Sequence, residues 1–347
     1  MIILFLSLTF LPFASKRLLR YMHIFQQEEY DARRFVTWLC VSHTYDKKAS
    51  IGILLATFLN VFIPSLTLAT VFMVCLWFLY LAWSEENPLK AAKKPLVLTE
   101  RARRSLWVAA GVEIIIILCA PLMFFPAWIL VIQSIPLTLI AASFLLKPFE
   151  KTVKAKFRKE AVDKLQKINP YIIGITGSYC KTSVKHILGH VLEFYGPTLF
   201  TPGSVNTEMG IVRIIREQLS PQHAYFIVEM GAYGIGSIAR LCDLTPPKLS
   251  VITAIGQAHY ERFKTLDDTT RAKFEIAEAV LAQQGHIILH DSVLEQPFAK
   301  SFYDVHKDNV ITVGTTGQAK IISSTQTEDG LLIILQWKNI EYTIATP

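Results

Sequence analysis

Ile172-Ile173-Gly174-Ile175-Thr176-Gly177-Ser178-Tyr179-Cys180-Lys181-Thr182-Ser183 decides the fold, because an apolar run feeds a short turn that ends in Lys-Thr and opens a helix. That is the layout of a phosphate-binding loop. Backbone N–H groups in such a turn converge on phosphate oxygens, and the helix presents its positive N-terminal end to them. Lys181 then reaches the terminal phosphates and the Thr182 hydroxyl takes Mg²⁺, so ATP and Mg²⁺ are the expected ligands. The general pattern asks for Gly where Ile175 stands. The better fit is a variant, Gly174-x-Thr176-Gly177-Ser178-x-Cys180-Lys181-Thr182, with Cys180 where a glycine is wanted. A residue with a Cβ is strained there if the backbone turns to positive φ.

Downstream, strand-like runs over 171–176, 224–230, 249–253 and 286–289 alternate with helical runs over 181–194, 209–218 and 267–282. The alternation predicts an α/β fold, a mostly parallel sheet with helices on both faces and ligands at the carboxyl ends of its strands. Residues 310–346 read instead as short strands separated by turns at Thr315-Thr316-Gly317 and Glu328-Asp329-Gly330. Glu229 closes one strand, and His259 follows another through Ala254-Ile255-Gly256-Gln257-Ala258. Both therefore project to the edge that carries the phosphate loop, where a carboxylate and an imidazole can hold a metal beside a nucleotide.

Upstream the composition changes. Of the 347 residues 52% are hydrophobic and 18% charged, and the apolar ones concentrate in residues 1–147. About five apolar segments are expected there: a marginal anchor over 1–14, a hairpin over 51–83 broken near Pro64, and a hairpin over 106–146 broken near Pro121 to Pro126. Lys and Arg are in excess over 15–50, 84–105 and after Lys147, which orients those stretches to the cytoplasm. The expectation is an α-helical transmembrane region, multi-pass in the inner membrane, then a basic amphipathic linker helix over 148–168, then a cytoplasmic α/β domain over 169–347. Residues 26–39 suit a surface helix at the headgroup level. Glu113, inside an apolar run, is expected to snorkel or to pair with an Arg at the interface. The net charge of +7 resides in segments flanking apolar runs, so nucleic acid is not an expected partner. Five scattered cysteines without Cys-x-x-Cys indicate neither a disulfide frame nor a zinc site.

The order of the downstream pieces resembles the Mur ligases, the ATP-dependent amide ligases of peptidoglycan synthesis, and in particular their D-alanyl-D-alanine-adding branch. After the loop come Thr201-Pro202-Gly203-Ser204-Val205-Asn206-Thr207-Glu208-Met209-Gly210, then Glu229-Met230-Gly231-Ala232, then Ile252 to His259, then Ala272-Lys273-Phe274-Glu275-Ile276. The resemblance covers about residues 168–347 and implies the family's central ATP-binding domain. It implies that Gly174, Thr176, Gly177, Ser178, Cys180, Lys181, Thr182 and Ser183 surround the ATP phosphates. It implies one Mg²⁺ on Thr182 and a second on Glu229, His259 and Lys273, with Lys273 carried as a carbamate. Lys181, Asn206, His259 and Lys273 are the implied catalytic residues, and His290 with Asp291 stands at the adenine. The activity implied is amide formation through an acyl phosphate, between a peptidoglycan precursor and an amino acid or dipeptide. Other readings are a polyglutamate or lipid-linked-precursor ligase of the same superfamily, or a non-catalytic membrane scaffold. The family's UDP-sugar domain has no counterpart here, and the sequence stops before an amine-closing C-terminal domain, so an incomplete ligase is expected, either a gene fragment or one completed by a further chain or segment.

Overall fold

The computed structural model describes residues 2–42, 46–90, 95–119, 125–256, 263, 265–328 and 330–346. They form two units, residues 1–152 and residues 153–347.

The first unit is helical. Its elements are α1 (Ile2–Gln27), α2 (Ala32–Val41), α3 (Lys47–Phe62), α4 (Thr67–Ser84), α5 (Glu100–Cys119) and the first part of α6 (Trp128–Ile168). The short anchor expected over 1–14 is the beginning of a 26-residue helix. The charges that follow the apolar stretch are absorbed by the bundle: Arg17 Nε lies 2.7 Å from Asp46 Oδ1, and Arg17 and Arg20 reach Glu85 Oε1 at 3.1 and 2.9 Å. Residues 15–50 are accordingly mostly helix rather than loop. The surface helix expected over 26–39 is broken, because Glu29 and Tyr30 turn left-handed and Asp31 caps α2 by accepting from the Arg33 and Arg34 N–H groups. The linker helix expected over 148–168 is not separate either. α6 runs 41 residues through Pro136 and Pro148, since a proline removes one backbone bond and bends a helix whose flanking turns are strong.

Inside this unit Phe10 packs edge-on against Phe78 and Trp128, with ring centroids 5.1 and 5.6 Å away. Outside it is apolar as well: Phe58, Phe72 and Leu118 are 61%, 56% and 69% exposed. By length and composition two helical stretches, Pro64–Ser84 and Phe125–Ile168, suffice to cross a membrane. Glu113 departs from its expected place. It is buried, one carboxylate oxygen accepts from Ser134 Oγ at 3.2 Å, and no Arg reaches it among the described residues.

The second unit is α/β. Its strands are β1 (Tyr171–Thr176), β2 (Thr198–Phe200), β3 (Tyr225–Glu229), β4 (Leu249–Ile252), β5 (His286–His290), β6 (Val310–Gly314), β7 (Ala319–Thr327), β8 (Gly330–Trp337) and β9 (Ile340–Thr346). They form one sheet in the order β2-β3-β1-β4-β5-β6-β7-β8-β9. Pairing is parallel from β2 to β7 and antiparallel through β8 and β9. Its helices are α7 (Lys181–Glu193), α8 (Glu208–Glu217), α9 (Ser237–Leu244), α10 (Leu266–Ala282) and α11 (Pro297–Val305).

Alternation along β1 sorts the two faces. Ile173 and Ile175 join Ile227 under Val184, Leu188 and Leu192 of α7. Ile172 belongs to the larger core on the other face, with Ile211 and Ile215 of α8, Leu241 of α9, Phe274 and Ile276 of α10 and Ala299 of α11. Helices thus cover both faces, as the sequence predicts. β1 lies between β3 and β4, and chain direction across the sheet switches there, which opens a crevice at the carboxyl end of β1.

Candidate functional site

The turn after β1 is built by one glycine and one threonine. Gly177 has φ +153°, and a Cβ on it would come within 2.0 Å of Thr253 Oγ1. Only glycine fits. Thr253, just past β4, bonds back through its hydroxyl to the Tyr179 carbonyl at 2.5 Å, while its N–H donates to the Thr176 carbonyl at 3.0 Å. Ser178 ties the turn down further: its N–H donates to the Ala254 carbonyl at 2.7 Å, and its hydroxyl meets the Gly256 carbonyl and N–H, each at 2.9 Å. Cys180 precedes α7 with φ 62° and ψ 4°, the left-handed conformation in which a Cβ is strained. Ser183 lies in the first turn of α7.

Gly174 and Thr176 occupy strand positions. A Cβ on Gly174 would press on Ile276 at 2.7 Å, so this glycine admits α10 to the sheet. Thr176 is fully buried and donates its hydroxyl to the Met230 carbonyl at 3.0 Å, joining β1 to the segment after β3.

Two ammonium groups converge on the turn. Lys181 Nζ and Lys273 Nζ donate to the same Gly177 carbonyl, at 2.8 and 3.0 Å. Burial lowers the pKa of Lys181, an effect that Glu229 opposes. Lys273, on α10, is pushed down to about 7, first by burial and then by the Lys181 charge. Lys273 is buried rather than on a solvated helix face, and the carboxylates near it in sequence are engaged elsewhere. Glu275 accepts the Gly236 and Ala239 N–H groups at the start of α9, and Asp268 accepts the Thr265 hydroxyl.

Across the turn, oxygen donors gather on β3. Thr182 Oγ1 donates to Glu229 Oε2 at 3.0 Å, and Asn206 Nδ2 donates to Glu229 Oε1 at 3.2 Å. Tyr233 donates its hydroxyl to Asn206 Oδ1 at 2.9 Å, which fixes the amide orientation. Beneath them lies a residue that sequence reasoning missed. Lys185 is fully buried, its Nζ is 2.9 Å from Glu229 Oε2, and it also donates to the Gly203 carbonyl. Its signal was present, since a second lysine four residues after Lys181 falls on the same helix face. Glu229 is 1% exposed, and a buried carboxylate requires a partner, which Lys185 supplies.

The remaining predicted residues lie apart. His290, at the end of β5, bonds Ser292 through Nδ1 at 2.7 Å. Asp291 accepts the N–H and hydroxyl of Thr316 at 2.8 and 2.9 Å, binding the end of β5 to the turn after β6. Burial works against its ionisation, yet the Thr316 donors prevail and hold its carboxyl below the usual range. His259 falls outside the described residues. Among those described, no three His, Cys, Asp or Glu side chains form a metal cluster.

Residues 175–347 match the family described as the Mur ligase middle domain. Over 160 residues the chain is 35% identical to the UDP-N-acetylmuramoyl-tripeptide--D-alanyl-D-alanine ligase of Mycobacterium leprae, covering 46% of this chain and 30% of that protein. Over 140 residues it is 32% identical to the enzyme of the same name from Escherichia coli, covering 40% of this chain and 30% of the relative. The chain therefore spans about a third of the length of these relatives. Among solved structures it is similar to MurF from Acinetobacter baumannii (TM-score 0.50, 25% identity, 56% of this chain and 42% of that one). It is equally similar to the MurF ligase of Thermotoga maritima in complex with ADP (TM-score 0.50, 25% identity, 55% and 44% coverage).

Proposed function

Residues 175–347 match the Mur ligase middle domain, and on that premise we propose that this chain carries the ATP-handling part of an acid–amino-acid ligase. The names of its relatives point to a UDP-N-acetylmuramoyl-tripeptide as the acid and D-alanyl-D-alanine as the amine. The acid's carboxylate attacks the γ-phosphorus of ATP, ADP leaves, and an acyl phosphate forms. The amine then attacks the acyl carbon, phosphate departs, and the amine proton passes to solvent.

One observation carries the reading: two lysines donate to the carbonyl of Gly177 in a glycine-built turn, and the Thr182 hydroxyl beside that turn bonds to Glu229, which the Asn206 amide also holds. Protein catalysis of phosphoryl transfer is chiefly positioning and charge neutralisation. In this assignment the N–H groups at the start of α7 hold the phosphates, and Lys181 exchanges the Gly177 carbonyl for a phosphate oxygen. Lys185 holds the Glu229 carboxylate in place. The donors fit Mg²⁺: Thr182 hydroxyl and Glu229 carboxylate are hard oxygens, and a small set of them leaves room for phosphate oxygens and water. When bound, Mg²⁺ offsets the charge on the transferring phosphoryl group.

We assign Lys273 a carbamate. Its Nζ, with a pKa pushed down to about 7, releases one proton to solvent; the neutral amine attacks the carbon of CO₂, an N–C bond forms and a second proton leaves, so a cation becomes an anion. Burial beside Lys181 supports this, because it depresses the pKa that otherwise keeps a lysine unreactive. We also place residues 1–147 in the cytoplasmic membrane with the α/β unit on the cytoplasmic side. The apolar exterior of the bundle and the Lys/Arg excess between its apolar segments support that placement.

Titration of the full chain in nanodiscs with ATP and Mg²⁺ tests the reading. Binding is expected, and Lys181→Ala is expected to abolish it; a wild-type chain that binds no ATP overturns the assignment. In ¹³C-bicarbonate, a carbamate carbonyl resonance present in wild type and missing in Lys273→Arg is the corresponding check on Lys273.

A further inference from the structure

Two cavities of the helical unit meet at Lys48 and Trp77, which line both. The first is an apolar cleft of about 570 Å³ between α3 and α4, with Leu55, Phe58 and Met73 in its walls. Its polar Thr70 is already satisfied, donating to Asn60 Oδ1 at 2.6 Å and to the Thr67 carbonyl at 2.9 Å. The second is a chamber of about 900 Å³ at the charged end of the same helices, lined by Arg17, Arg20, Asp46, Lys47, Glu85 and Glu86 among others. Both volumes lie in the range of ligand sites.

The junction is shaped. Trp77 Nε1 donates to the Lys48 carbonyl at 3.1 Å, and its ring stacks on Tyr80 with centroids 5.5 Å apart. Gly52 makes room for that ring, since a Cβ there would come within 2.8 Å of Trp77 Cδ1.

Charge assigns the ends. Arg17 and Arg20 are matched by Asp46 and Glu85, so those four groups are formally neutral together. Lys47 and Lys48 stand against Glu86 and leave the chamber one positive charge in excess. Among the described residues neither lysine makes an ion pair, and Lys48 lines both the apolar cleft and the charged chamber. An ammonium at such a boundary holds a lipid phosphate, because the cation stays at headgroup depth while the chain runs along apolar wall.

We propose that the joined cavities bind a membrane phospholipid, its phosphate at Lys47 and Lys48 and one hydrocarbon chain in the cleft between α3 and α4. This rests on the placement of residues 1–147 in a membrane. The probe is phosphatidic acid with a diazirine in one acyl chain, photolysed with the full chain in phosphatidylcholine nanodiscs. Labelling is expected on peptides containing Leu55, Phe58 and Met73. Lys47→Glu with Lys48→Glu is expected to reduce it about tenfold, and Met73→Trp, which fills the cleft without touching the charged end, to reduce it comparably. Labelling spread evenly over outward residues such as Phe72 and Leu118, or unchanged in both variants, overturns the site. So does displacement by inorganic phosphate alone, which would make the chamber a soluble-anion site. Carbonate extraction of the chain from membranes separates the two failures: a released chain refutes the membrane placement, and an integral chain with even labelling refutes the lipid site alone.

Discussion

The helical unit and the α/β unit each enclose an ion-paired cluster, yet their exteriors are opposite. Around Arg17, Asp46 and Glu85 the bundle turns Phe58, Phe72 and Leu118 outward. Around Lys185 and Glu229 the α/β unit is sheathed by helices whose outer faces carry pairs such as Arg271–Asp267 and Arg213–Glu217. Scattered exposed apolar residues are ordinary, but a coat of them on long helices supports the membrane placement proposed above. Interior charge therefore says where chemistry or binding is built, and exterior character says in what medium.

The largest expected effect probes the interior of the α/β unit. Lys185→Met leaves Glu229 buried without its partner and should cost about 3–5 kcal/mol in denaturant unfolding. Adding Glu229→Gln should recover most of that loss; a single variant costing under about 1 kcal/mol would mean that the pair is solvated.

A lysine placed on each exterior tests the comparison directly. Phe72→Lys on α4 should cost about 2.5–3.5 kcal/mol of membrane insertion, scored by glycosylation mapping. Ile187→Lys on α7, at a residue that is 64% exposed, should change stability by no more than about 0.5 kcal/mol. Equal tolerance of both would erase the distinction between the two units.

Next comes pH. Folding depresses the Lys273 pKa from 10.5 to about 7. Between those values the unfolded chain holds a proton that the folded chain has released, so stability rises with pH across that window. Below about 7 both states are protonated and the penalty is fully present. In CO₂-free buffer, where Lys273 stays a free amine, wild type should gain about 2 kcal/mol relative to Lys273→Met from pH 7 to pH 9; parallel stability curves would show that Lys273 keeps an ordinary pKa. The smallest effect belongs to Cys180→Gly, which relieves the left-handed strain and should tighten ATP binding about fivefold to tenfold. Unchanged affinity by titration would show that the turn accommodates the Cβ.

The α/β unit was legible because its signals are local. The apolar run over 171–176 is β1 as read, the turn at 315–317 separates β6 from β7 as predicted, and β7 ends at Thr327 with β8 beginning at Gly330. α9 escaped because Ser237–Leu244 is short and follows Gly236, and its start is fixed by Glu275 from α10, far along the chain. The site was legible in its residue types and less so in its contacts. Glu229 and Asn206 stand beside the loop, but Lys185 reads as one more basic residue until β3 brings Glu229 against it. In the helical unit the apolar segments were plain and their ends were not. Arg17 and Arg20 look like the end of a helix, and only Glu85, in a distant segment, allows α1 to pass through them.

The stitching of the phosphate turn to the residues after β4 also sets an order of assembly. Ser178 finds its partner in Gly256, 78 positions later, and β1 takes its neighbours from β3 and β4, never from β2. Contacts of such separation form late, after the intervening loops have closed. During synthesis the chain lengthens from its N-terminus, so a nascent polypeptide arrested at α8 already contains Gly177, Lys181 and Thr182 and still has no cradle. In the proposed reading nucleotide docks only after Gly256 has emerged and β4 has paired, so ATP is expected to report the completed sheet rather than to template it.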